Sequence, residues 1–195
     1  MTYAFPHPLL ARDTRGLPHD AALRVCLSDL ERMLEYVELH EDNLAVFSHR
    51  TYELLLRAAT EFEATCKTLL PGGRSRQTIK DFEILSSRFD LPTFGVGFFT
   101  GLVRPIVVEP FRAWQQPGTP LPWYQGYNAV KHNRATEFHQ ASLRNTLCAL
   151  AAVFVLLYQG FRPRIYHISN AGSDPDTKRW RGYVDGLPVF LETAA

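Results

Sequence analysis

The sequence predicts a mainly α fold, an antiparallel helical bundle carrying a small β appendage at its C-terminus. Three observations carry that expectation. Two long segments repeat apolar residues at intervals of three and four, and a third, Leu147–Leu157, is apolar on every face. Beyond Pro163 the style changes to short alternating runs separated by turn residues. A chain of 195 residues fits one domain and can bury most of its apolar surface.

Residues 1–18 hold Pro6, Pro8, Gly16 and Pro18 and read as an irregular arm lying on the body. A first helix is expected from His19 to about Leu39, with Leu23, Cys26, Leu27, Leu30, Met33, Leu34 and Val37 on one face. The run His40-Glu41-Asp42-Asn43 stops it. A second helix is expected from Ser48, a good N-cap, to Leu70, where Pro71-Gly72-Gly73 ends it. Its stripe is Tyr52, Leu55, Leu56, Ala59, Phe62, Cys66, Leu69 and Leu70. Joined by a short connection, these two helices should pack antiparallel.

A shorter third helix is expected from Thr78 to about Phe89. Between Asp90 and Pro122, Gly95, Gly97, Gly101 and several prolines break the pattern, leaving a long structured connection. Within it only Ile106-Val107-Val108 and Phe111 suggest a short extended piece. Pro122–Gly160 then forms a central helix or helix pair, broken near Asn133–Ala135. The helical domain thus spans 19–162, followed by strands in 163–195: Arg164–Ile168, Arg179–Val184 and Leu187–Glu192. The last two meet at Asp185-Gly186, a hairpin signal.

Composition excludes several classes of function. With 46% hydrophobic and 21% charged residues the chain is an ordinary globular one, and a net charge of +1 draws it globally to neither nucleic acid nor membrane. An anionic partner must be held by a local patch. Cys26, Cys66 and Cys148 are widely spaced, with no CxxC, and read as buried thiols. The N-terminus lacks the pattern of a signal peptide, and the run Leu147–Tyr158 is too short to span a bilayer. The expectation is a cytoplasmic protein without membrane contact.

Chemistry concentrates in Tyr127-Asn128-Ala129-Val130-Lys131-His132-Asn133-Arg134. On a helix, Asn128, Lys131 and His132 share one stripe, with Tyr127, Lys131 and Arg134 on its flank. An imidazole moves protons near neutral pH, and cations stabilise charge growing on a phosphate. A solvated helix start with no chemistry has the same residue pattern.

Two helices, a connection and a final helix bearing Asn128 and His132 four apart resemble the HEPN (higher eukaryotes and prokaryotes nucleotide-binding) superfamily. The resemblance covers roughly residues 19–160 through one short motif. It implies an all-α, generally dimeric bundle. In active members the signature Arg, polar residue, three residues, His makes a metal-independent ribonuclease in a cleft between protomers. Toxin–antitoxin and phage-defence settings, with an antitoxin or other protein partner, also follow from it. Tyr127 stands where the signature has arginine. A tyrosine stays neutral and cannot replace a guanidinium fork on phosphate. Lys131 or Arg134 would have to supply that charge.

Glu63 and Lys67 are four apart on the second helix, read either as a surface ion pair or as facing the final helix. In the second case Glu63 would orient His132 or pair with Arg134. Arg144-Asn145 lacks a histidine at the motif spacing and reads as a buried polar pair tying helices together. His132, Glu137 and His139 lack further convergent ligands, so neither metal nor cofactor is expected. Lys178, Arg179, Trp180, Arg181 and Tyr183 form a basic, aromatic strand, read as a charged sheet edge or as a nucleic-acid platform.

Three functions follow: a HEPN-like domain binding RNA or nucleotide with weak or no catalysis, a metal-independent endoribonuclease using His132, or a structural dimeric helical protein.

Overall fold

The computed structural model describes residues 14–70, 77–99, 104–161, 166–173 and 179–193. Helix α1 (Leu17–Leu34) begins on Pro18, whose fixed φ and missing amide suit a first turn. It ends before Leu39, its last turn tightened where the Tyr36 amide bonds the Met33 carbonyl three residues back. Helix α2 (His49–Leu69) starts as expected. Ser48 Oγ accepts from the Thr51 amide, and Thr51 Oγ1 accepts from the Ser48 amide at 2.7 Å. The expected third helix is two short pieces, α3 (Ile79–Phe82) and α4 (Ile84–Phe89).

The segment expected as one broken helix becomes α5 (Pro122–His132), the single turn α6 (Arg134–Glu137), and α7 (Leu143–Gly160). Helix α7 is the axis of the core, packed along α2 and also against α1 and α5. It is long and apolar enough to cross a membrane, yet 78% of it is buried inside the fold. Its start is tied down by the loop before α2. The Leu143 and Arg144 amides donate to Val46 and Leu44 carbonyls at 2.8 and 2.9 Å, filling positions that a helix start leaves open.

The expectation of a helical bundle with a β appendage is overturned by the sheet. The expected connection supplies two strands, β1 (Phe94–Phe98) and β2 (Ile106–Val108). With β3 (Ile168–Ser173), β4 (Trp180–Val184) and β5 (Val189–Thr193) they form one antiparallel five-stranded sheet, ordered β2-β1-β5-β4-β3. The protein is an α/β mix in which the sheet shares the core with α7. Phe94, Val96 and Phe98 alternate onto the face toward α7, where Phe94 meets Tyr158 at 6.5 Å between ring centres.

Gly95 and Gly97, which read as loop residues, fall on the other face for a steric reason. A side-chain carbon at Gly97 would sit 2.0 Å from the Phe190 ring, which lies across the strand. The hairpin at Asp185-Gly186 is as expected, with Gly186 at φ +74°. The expected strand Arg164–Ile168 lies partly outside the described residues, and β3 begins only at Ile168. The arm before Thr14, the Pro71-Gly72-Gly73 stop and Lys178 also lie outside them.

Candidate functional site

Two polar regions lie at opposite ends of α5. At its C-terminal end, the packing of α5 against α2 and α7 turns Tyr127 inward, at 2% exposure. Asn128 is half-buried at the rim, while Lys131 and His132 are exposed. The position of the signature arginine is therefore filled by a core residue. Lys131 Nζ donates to Tyr127 Oη at 2.9 Å, a bond that raises the lysine's pKa and keeps its charge.

Both readings of Glu63 hold in part: it makes the i,i+4 ion pair with Lys67 and it faces α5, but with a different partner there. Tyr124 Oη donates to Glu63 Oε1 at 2.9 Å, and Lys67 Nζ lies 3.9 Å from Glu63 Oε2. Burial, then the Glu63 carboxylate, drives the Tyr124 hydroxyl's pKa well up, so it holds its proton as a donor. Glu63 thus orients neither His132 nor Arg134.

Arg134 lies beyond the helix break, in α6. Its guanidinium rests 4.8 Å from the Tyr52 ring centre and 5.5 Å from that of Phe138. It donates to His49 Nδ1 at 3.1 Å, so that nitrogen acts as an acceptor. Phe138 packs edge-on against Phe47 and Tyr52, and Phe47 is largely exposed. Sequence reasoning missed this aromatic group because His49, Tyr52 and Phe138 meet only when α2 and α6 pack. Among the described residues no carboxylate pairs with Lys131, His132 or Arg134.

At the N-terminal end of α5 lies a cavity of about 750 Å³. It is bounded by β2, the turn after it, the first turns of α5 and α7, and the strands carrying Arg181 and Glu192. Four arginines and two glutamates line it: Arg112, Arg144, Arg179, Arg181, Glu109 and Glu192. Arg179 and Arg181 share Glu192, at 3.0 and 2.7 Å, and Arg179 and Arg112 share Glu109, both at 2.7 Å. The sequence carried only one hint of this lattice, the basic run 178–183. Strand β4 lies between β5 and β3, so its arginines do not guard a sheet edge.

Arg144 and Asn145 do not form the expected buried pair. Arg144 is exposed on the cavity, while Asn145 Nδ2 donates to the Gln140 carbonyl at 2.8 Å. A side chain at Gly126 would strike that amide, which is how α5 and α7 come so close.

Burial would raise the Glu109 carboxyl, but hydrogen bonds from Arg179 and Arg112 outweigh it and hold its pKa below the usual range. A depressed carboxylate stabilises the fold above its unfolded pKa, and that stability is lost as pH falls through the folded value. Glu109→Gln should therefore be less stable than wild type at pH 7, with the gap closing below about pH 4. Urea unfolding at several pH values checks this; a gap constant with pH would refute it.

Ser169, His167 and Asp185 have catalytic residue types without catalytic geometry. Ser169 Oγ donates to Asp185 Oδ1 at 2.5 Å and His167 Nδ1 bonds Asp185 Oδ2 at 2.6 Å, so the imidazole does not touch the hydroxyl it would need to activate. The groove of about 610 Å³ between α1 and α2 has its charges paired internally, Asp29 with Arg32 and Arg57, and Glu53 with Arg50. Among the described residues no cluster of metal-ligating side chains occurs. No protein-family model, curated protein or solved structure matches this chain.

Proposed function

We propose that this is a cytoplasmic RNA-binding protein, acting as a homodimer or with a protein partner, in which the HEPN-like motif on α5 is catalytically silent. The observation that carries the reading is Arg134 stacked on Tyr52 and Phe138 beside the exposed Lys131 and His132. Aromatic faces interleaved with cations that make no ion pair among the described residues suit single-stranded RNA, whose bases stack while its phosphates meet charge. A prokaryotic defence or toxin–antitoxin setting belongs to the same proposal.

Two features support silence. Tyr127 is buried and engaged by Lys131, so no guanidinium stands at the position that would grip a phosphate. Glu63 is held by Tyr124 and Lys67, leaving His132 without an orienting carboxylate from α2. Loss of one transition-state contact of this kind costs on the order of 10²–10³ in rate.

The test is binding and cleavage of labelled single-stranded and hairpin RNA in EDTA. Wild type should bind with a steep salt dependence and leave the RNA intact. Lys131→Ala should lower the salt slope by about 0.7, the value for one single-strand phosphate contact. Arg134→Ala should weaken binding by about 1–3 kcal/mol through lost stacking as well as charge. Cyclic phosphate ends made by wild type and not by His132→Ala would replace this reading with the ribonuclease one. Absence of binding would sink both.

A further inference from the structure

We propose that the arginine-lined cavity at the N-terminal end of α5 is a binding site for a small organic phosphate of nucleotide size. This is separate from the RNA surface and does not rest on it. Its walls are of two kinds. Val107, Pro110, Ala113, Pro122, Trp123 and Cys148 supply apolar lining. Burial pushes the Cys148 thiol up to about 12, so it lies there as a neutral apolar group and adds no anion. The remaining wall is the arginine–glutamate lattice.

Charge decides the ligand's sign. Among the residues that line it, four guanidiniums face two carboxylates, an excess of two positive charges. Glu109 and Glu192 already accept from Arg112, Arg179 and Arg181, which holds those guanidiniums in place before any ligand arrives. Arg144 makes no ion pair with a carboxylate among the described residues, and it reaches the cavity from the first turn of α7.

Geometry separates phosphate from carboxylate. One guanidinium fork satisfies a carboxylate in a single plane. Here the guanidiniums arrive from three elements: the turn after β2, the start of α7 and strand β4 with its preceding residue. Donors on several sides suit a tetrahedral dianion, whose oxygens point in different directions. A volume of about 750 Å³ exceeds what a bare phosphate fills and falls in the range of pockets that enclose a ring-bearing ligand. The apolar wall is where that ring would lie.

The experiment is calorimetric titration of the full chain at fixed ionic strength. Its probes are adenosine 5′-monophosphate, guanosine 5′-monophosphate, ribose 5-phosphate, inorganic phosphate, adenosine and benzoate. The phosphate esters should bind saturably, inorganic phosphate at least tenfold more weakly, and adenosine and benzoate not detectably.

Arg144→Gln should weaken the best ester about tenfold or more, as expected for one charged hydrogen bond. Its exposed position keeps the fold intact. Ala113→Trp fills the apolar wall and should abolish ester binding while leaving the weak binding of inorganic phosphate. Arg32→Gln on α1, outside the cavity, changes net charge equally and should leave affinity unchanged.

No saturable binding of any ester overturns the proposal, as does binding that Arg144→Gln and Ala113→Trp both leave intact. Equal affinity for inorganic phosphate and the esters overturns the ring-bearing ligand, and equal affinity for benzoate overturns the phosphate.

Discussion

Glu192→Ala is expected to cost about 3–5 kcal/mol of folding stability, the usual consequence of removing one member of a buried ion pair. The Glu192 side chain is only 4% exposed, and it faces Arg179 at 3.0 Å and Arg181 at 2.7 Å. Removing it strips each guanidinium of a buried counter-charge, and that loss of compensation is the larger part of the penalty. For a chain of this length the shift in Tm should be about 6–20 °C.

The mechanism has a second test. Met at both 179 and 181 in the Glu192→Ala background removes the two guanidiniums that Glu192 faced, and should recover at least half of the lost stability. If Glu192→Ala alone melts within about 2 °C of wild type, the lattice is not a structural element of the sheet.

Gly97→Ala is expected to destabilise by about 3 kcal/mol. In an open strand the same change would help, since alanine loses less backbone entropy on folding than glycine by about 0.5–1 kcal/mol. The sign reverses here because the new carbon would lie 2.0 Å from Cζ of Phe190. That ring cannot simply rotate away. It packs against Tyr183 at 5.5 Å and carries the Arg181 guanidinium 4.4 Å from its centre. Overpacking of this kind typically costs about 1–3 kcal/mol, and the ring's constraint places this site at the upper end.

The decisive measurement is a double-mutant cycle. In a Phe190→Ala background, Gly97→Ala should be neutral or stabilising, giving a coupling of about 2–3 kcal/mol. Additive effects would show that the ring does not set the need for glycine.

The amino-acid sequence by itself determined the elements whose causes are local. Ser48 caps α2 through residues three apart, and the apolar stripe of Leu55, Ala59, Phe62 and Cys66 is buried as its period requires. The all-apolar run in α7 marked a helix surrounded on every face, and Asp185-Gly186 marked the turn between β4 and β5. The stripe bearing Asn128 and His132 was legible for the same reason, since helical phase follows from spacing alone.

Tertiary structure decided the rest. The segment Phe94–Phe98 packs as an interior strand because Phe190, far away in sequence, occupies the space that Gly97 leaves. Tyr127 is a core residue, which spacing on an isolated helix does not reveal, because the helix face that turns inward depends on where α2 and α7 lie. Glu63 found Tyr124 and not His132, and Arg134 found rings on α2, once a helix break at Asn133 turned the chain. The arginine–glutamate lattice joins residues 109, 112, 179, 181 and 192 through strand register. Apart from Glu109–Arg112, which are three residues apart, these contacts join residues brought together by chain closure, and no local period encodes such a pairing.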